Sequence, residues 1–133
     1  MIPIAKPFIG NEEIQAVSEV LKSGILAQGP KVRELEEKFA KFCGTKYVIA
    51  VNSGTAALHT ALHAAGIKQG DEAITTPFTF ISTANTILMQ GAKPIFVDTD
   101  QNGLIDSHKI QPAINNKTKA ILPVHLYGNS VDL

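Results

Sequence analysis

The residues best placed to do chemistry are Asn52-Ser53-Gly54-Thr55-Ala56-Ala57-Leu58, which follow the short apolar run Val48-Ile49-Ala50-Val51. Such a run reads as a strand covered on both faces, and Ser53-Gly54 then turns the chain into a helix. First turns of helices attract Asp or Glu, yet this one holds only Gly, Thr and Ala. Its free backbone N–H groups and the positive end of its dipole are open to an anion from outside. Gly54 permits close approach to the backbone, while Ser53 and Thr55 add hydroxyl donors. The plainer reading makes Ser53 an N-cap and the glycine a tight turn. Neither GxxxxGK nor GxGxxG occurs, which weakens ordinary nucleotide readings.

A second candidate is Thr76-Pro77-Phe78-Thr79-Phe80, at the carboxyl end of the next short strand, where α/β sheets hold their ligands. The rings of Phe78 and Phe80 could stack on a flat ligand or fill the core. His125, with Leu126-Tyr127-Gly128 behind it, closes the last strand and could act on substrate or bond a loop. Three other constellations carry less. His59 and His63 have metal-ligand spacing but fall off the apolar stripe of their helix and have no evident third ligand. Residues 98–103, Asp-Thr-Asp-Gln-Asn-Gly, resemble half of a calcium loop, but Lys109 stands where a bidentate Glu is needed. Asp98 and Asp100 could instead form the D-x-D of a metal-dependent glycosyltransferase, or simply a turn after a strand. Cys43 reads as a small buried hydrophobe.

The elements that must position these residues alternate. Asn11, followed by Glu12 and Glu13, reads as an N-cap, with Ile14, Val17 and Leu21 at helical spacing and Gly24 as the stop. Pro30 opens a second helix, with Val32, Leu35, Phe39 and Phe42 on one face and Gly44 at its end. Beyond the third helix (Leu58, Ala61, Leu62, Ala65), strands are expected at 73–75, 94–97 and 120–124. A buried helix is expected at 80–89, and a short or distorted one after Asp106, because Pro112 lies inside it. The whole predicts an α/β fold of three layers, a mostly parallel sheet with helices on both faces.

Composition bounds the partners. The 133 residues carry 12 Lys+Arg against 12 Asp+Glu. With Arg33 the single arginine, no basic stripe exists for a nucleic-acid backbone or an anionic membrane. Cys43 alone allows no disulfide framework, in keeping with a cytoplasmic setting. Residues 47–67 and 73–92 lack charged side chains, but Pro77 and eight polar side chains make the second run a poor membrane span. The opening MIPIAKPFIG, interrupted by two prolines and Lys6, does not read as a signal peptide. Asp132 sits at an N-cap position with no helix behind it, so the chain is expected to be the front of a longer protein.

In order along the chain, GNEEIQAVSEVLKSGILAQGPKVRELEEKFAKFCGTKYVIAVNSGTAALHTAL, GDEAITTPFTFISTANTILMQGAKPIFVDTD and KTKAILPVHLYG resemble the DegT/DnrJ/EryC1/StrS aminotransferases. These are sugar aminotransferases dependent on pyridoxal 5′-phosphate (PLP), with the aspartate-aminotransferase (type I) fold. The resemblance implies that residues 1–133 are the front part of a PLP-binding large domain, truncated here, with 1–45 a helical segment leading into it. It implies that Ser53, Gly54 and Thr55 hold the cofactor phosphate and that Phe80 stacks on the pyridine ring. Ile25, in the loop SGILAQG, together with Phe78 and His125, would lie on the substrate side. The implied reaction moves an amino group from glutamate or glutamine to a keto sugar, usually nucleotide-linked, in a homodimeric enzyme. The resemblance places the Schiff-base lysine beyond Leu133, so the catalytic nucleophile is expected to be missing and this segment to be inactive by itself.

Overall fold

A computed structural model describes residues 3 and 5–132 and falls into two compact units, Met1–Ala50 and Val51–Leu133. Met1, Ile2 and Ile4 of the opening apolar stretch, and Leu133, lie outside the described residues.

The first unit holds α1 (Asn11–Ser23) and α2 (Pro30–Cys43). Asn11 is the first residue of α1 and not its cap. Gly10 occupies the cap position, and its N–H donates to Glu13 Oε2 at 2.7 Å. That carboxylate takes up a free N–H which an Asn side chain at the cap would have left alone. Gly24 and Gly44 end the two helices in the left-handed region, at φ 72° and 68°, where a side chain would be strained. Neither helix buries a residue, so Ile14, Val17, Leu21, Leu35 and Phe39 show their apolar stripes to the outside. Cys43, expected to be buried, is exposed because it ends this uncovered helix.

Residues 48–51 do not form the expected strand. A strand exists by its ladder, and none is present here among the described residues. The Ala50 N–H is taken by the Glu36 carboxylate at 2.9 Å, and Ile49 is exposed.

The second unit is a three-stranded parallel sheet in the order β2-β1-β3, built from β1 (Glu72–Thr75), β2 (Lys93–Phe96) and β3 (Thr118–Ile121). Three helices accompany it, α3 (Gly54–Ala64), α4 (Ser82–Met89) and α5 (Ser107–Ala113). Side chains alternate across the central strand. Ala73 faces a core with Leu62, Ile67, Ile87 and Ala92 from α3, α4 and their connections. Ile74 faces the other core, with Val97, Ile105 and Ile110 of the α5 side. The sheet therefore carries helices on both faces, the three layers expected of the pattern. α5 is seven residues long with Pro112 inside, short as expected.

Pairing continues beyond β3. Leu122 N–H donates to Ile74 O at 2.7 Å, and Thr75 Oγ1 donates to Leu122 O at 2.9 Å. That last bond satisfies a fully buried hydroxyl at the carboxyl end of the central strand.

Candidate functional site

Leu62, near the end of α3, shares a core with Ala73 at the start of β1, and His63 and His59 meet Gln90 just before β2, so α3 ends by the amino end of the sheet. Its first turn thus lies toward the carboxyl end of the sheet, as do the loops leaving β1, β2 and β3. In parallel α/β sheets this end holds the ligands.

At α3, Ser53 is the N-cap, with extended backbone and Oγ accepting from Ala56 N at 3.1 Å. Ala57 N donates to Ser53 O at 3.0 Å. The N–H groups of Gly54 and Thr55 have no acceptor among the described residues, and the first turn contains no acidic side chain. Since Ser53 Oγ accepts from Ala56, its own hydrogen is left to donate. Two free N–H groups, one hydroxyl hydrogen and the dipole end suit an oxyanion. Gly54 has no left-handed φ, and a Cβ built on it meets nothing within 4 Å. Neither packing nor backbone conformation asks for glycine here. The space beside these donors is open among the described residues.

Phe78 and Phe80, equivalent on sequence, are placed differently. The Phe78 ring lies 6.4 Å from that of Tyr127, tilted by 51°. On Gly103 (φ 78°) a Cβ would come within 3.1 Å of the same ring. Phe78 thus sits between the loop after β2 and the loop after β3. Phe80 is 74% exposed and contacts no other ring among the described residues. Its carbonyl accepts from Thr83 N at 3.1 Å, and Thr79 and Thr83 hydroxyls pair at 2.9 Å, which fixes its backbone at the entry to α4. A held backbone carrying a free phenyl face is able to receive a flat ring.

His125 lies four residues past the end of β3, in a loop and not at a strand end, and it is exposed. Its Nδ1 accepts from Val131 N–H at 3.0 Å. Ile25 belongs to the first unit, where its Cγ2 sits 2.6 Å from the place a Gly29 Cβ would occupy. It borders an apolar cavity of about 300 Å³ with Val20, Leu26 and Pro30.

The competing constellations are occupied by structural duties. Asp100 Oδ1 accepts from Asn102 N (2.8 Å) and Leu104 N (3.0 Å), and Asp98 Oδ1 caps Thr99 N. Partial desolvation pushes the Asp100 carboxyl up, but the N–H groups of Leu104, Asn102 and Gly103 outweigh it and hold it below the usual carboxylate value. Both aspartates are turn formers that accept N–H groups of their own loop, and Asp98 Oδ2 lies 3.7 Å from Lys109 Nζ. His63 Nδ1 lies 3.3 Å from Gln90 Oε1, and Gln90 Nε2 donates to His59 O at 3.1 Å, a tie between α3 and α4. Tyr127, Gly103 and Val131 are the neighbours that the sequence alone had not paired with the site. Tyr127 at φ 52° followed by Gly128 at φ 83° forms a tight turn, and the Tyr-Gly pair was its visible trace.

Together, fold and site define a parallel α/β protein with an anion-ready helix turn and a free aromatic face at the carboxyl end of its sheet. The chain belongs to the DegT/DnrJ/EryC1/StrS aminotransferase family, whose profile matches residues 7–133. It is 54% identical over 133 residues to the spore coat polysaccharide biosynthesis protein SpsC of Bacillus subtilis (strain 168), covering 99% of this chain and 34% of SpsC. Among solved structures it resembles PseC of Helicobacter pylori, an aminotransferase involved in the biosynthesis of pseudoaminic acid. There the TM-score is 0.92 at 37% identity, over 98% of this chain and 36% of PseC. Spr1654 of Streptococcus pneumoniae in its PLP form gives a TM-score of 0.93 at 36% identity, over 98% of this chain and 34% of that one. The chain spans about a third of the length of the curated relative it matches. No helix among the described residues is long and apolar enough to cross a membrane.

Proposed function

We propose that this chain forms the phosphate- and ring-holding part of a PLP-dependent aminotransferase. That enzyme would move an amino group from glutamate or glutamine to the keto group of a nucleotide-linked sugar. The observation that carries the reading is the first turn of α3, with two unclaimed N–H groups and a glycine that the fold itself does not require. Membership in the family supports the reaction class. A 54% identical relative named for polysaccharide biosynthesis supports a sugar substrate in amino-sugar or polysaccharide assembly.

Within this reading the N–H groups of Gly54 and Thr55 and the Ser53 hydroxyl hold the phosphate dianion. No Lys or Arg lies in residues 52–58, so backbone dipoles supply the attraction. The exposed face of Phe80 would hold the pyridine ring of the cofactor and shield it from water. PLP, when bound, supplies an electron sink for bond changes at the amine-bearing carbon. Ile25, Phe78 and His125 are assigned to the substrate side. The lysine that shuttles the proton is placed outside these residues, so the segment by itself is proposed to be inactive. The intact enzyme is proposed to be a cytoplasmic homodimer.

The test is a PLP titration of the intact protein that carries this chain, followed by absorbance, with inorganic phosphate as competitor. Saturable binding that phosphate weakens is expected. Absence of PLP binding, or binding indifferent to phosphate, overturns the reading.

A further inference from the structure

One side chain outside the phosphate turn joins the loops at the carboxyl end of the sheet. A backbone N–H can only donate, so the 3.0 Å bond from Val131 N makes His125 Nδ1 an acceptor. The proton of the neutral ring is then on Nε2. Between these two residues the chain makes the tight turn at Tyr127 and Gly128, closed by Asn129 N–H donating to Leu126 O at 2.9 Å. Tyr127 spends a left-handed backbone conformation, uncommon for an aromatic residue, at the point where its ring meets Phe78. Phe78 in turn rests on Gly103 and lies two residues before Phe80. Bond, turn and tilted ring contact therefore link the loops after β1, β2 and β3 in one series.

We infer that His125 is a positioning residue: its Nδ1 holds the 126–131 turn, the turn holds Phe78 through Tyr127, and Phe78 sets the loop that presents Phe80. This rests on the reading of Phe80 as the ring-holding residue. It assigns His125 a task that needs no contact with substrate, and Phe78 one of support. With Nδ1 accepting and Nε2 protonated, the neutral ring has no lone pair free to serve as a general base.

The test compares His125→Asn with His125→Gln in the intact protein. An Asn carbonyl can occupy the place of Nδ1, whereas a Gln carbonyl reaches only the place of Nε2. Hydrogen–deuterium exchange is read for peptides covering 126–131 and 76–80, alongside PLP affinity. His125→Gln is expected to raise exchange in both peptides by about tenfold, the scale of one lost hydrogen bond, and to weaken PLP by a similar factor. His125→Asn should restore both. Loosening confined to 126–131, or equal behaviour of Asn and Gln, overturns the inference. Should the wild type bind no PLP, the proposed function fails, while the exchange of the two peptides still decides whether the loops are linked. If His125→Gln does not fold, Tyr127→Ala, which removes the ring and keeps the histidine bond, must still loosen 76–80 for the inference to stand.

Discussion

Replacing Gly54 by Ala separates what the fold needs from what the ligand needs. A Cβ at this position meets no atom within 4 Å, and the residue lies outside the left-handed region. The folded state therefore accepts a methyl group without strain, and the unfolded chain loses conformational freedom. The expected gain is about 0.4–1 kcal/mol, or about 1–4 °C in melting temperature for a protein of about 150–250 residues and less for a longer one. Binding should move the opposite way. The methyl group enters the space over the free N–H groups of Gly54 and Thr55 and holds a phosphate oxygen away from at least one of them. A lost hydrogen bond to a charged group costs about 1.5–3 kcal/mol, or about 10- to 150-fold in Kd. The assay pairs a thermal melt without cofactor with a PLP titration of the intact protein, and Gly54→Val extends the series. Unchanged affinity in both variants would refute the anion turn. A Gly54→Ala melt lowered by several degrees would show that the glycine is structural after all.

Other substitutions test neighbouring parts. Ser53→Ala removes the cap on Ala56 N and should cost about 1 kcal/mol of stability in addition to weaker phosphate competition; a melt equal to wild type speaks against the cap. Phe80→Ala should change stability by less than about 0.5 kcal/mol, since the ring is largely exposed, yet weaken PLP binding. Phe78→Ala, which removes the tilted ring contact with Tyr127 from a half-exposed side chain, should instead cost about 0.5–1.5 kcal/mol in a chemical denaturation series. The hydrogen bonds from Lys38 and Lys31 hold the Glu34 carboxyl below its ordinary value. A depressed carboxyl stabilises the fold above its unfolded pKa, and that contribution is lost as pH falls through the folded value. Glu34→Gln should therefore lower stability slightly at neutral pH and leave it unchanged well below the folded value, which flattens a small part of the acid limb; the effect is small because all three side chains are solvated. An acid limb identical to wild type would exclude the contribution.

Local chemistry could be read directly from the residues. Pro30 at the first position of α2, Gly24 and Gly44 at the helix ends, and the acid-free turn at Ser53 all act over three or four residues. Their backbone conformations follow from sterics and capping that neighbours along the chain decide. The three strands were visible as short apolar runs, their ends displaced by up to three residues because a ladder, not hydropathy, sets them. The same rule misread residues 48–51, whose apolar composition is that of a strand but whose Ala50 N–H goes to a glutamate side chain.

What tertiary structure alone decided is which of several like residues stays free. Phe78 and Phe80 differ by two positions, and no propensity separates them. Contact with Tyr127 and Gly103, far away in the chain, engages the first and leaves the second open. Asp98 and Asp100 are seen in the fold to accept N–H groups of their own loop. That His125 Nδ1 accepts from Val131 N–H, tying the loop between them, is visible only in the fold. The sequence by itself determined the acid-free turn at Ser53 and the kind of fold, since the turn rests on short-range backbone chemistry and the fold on the alternation of apolar runs and helices. The division of labour among the aromatic rings, the aspartates and the histidine depends on packing between loops that only the folded chain brings together.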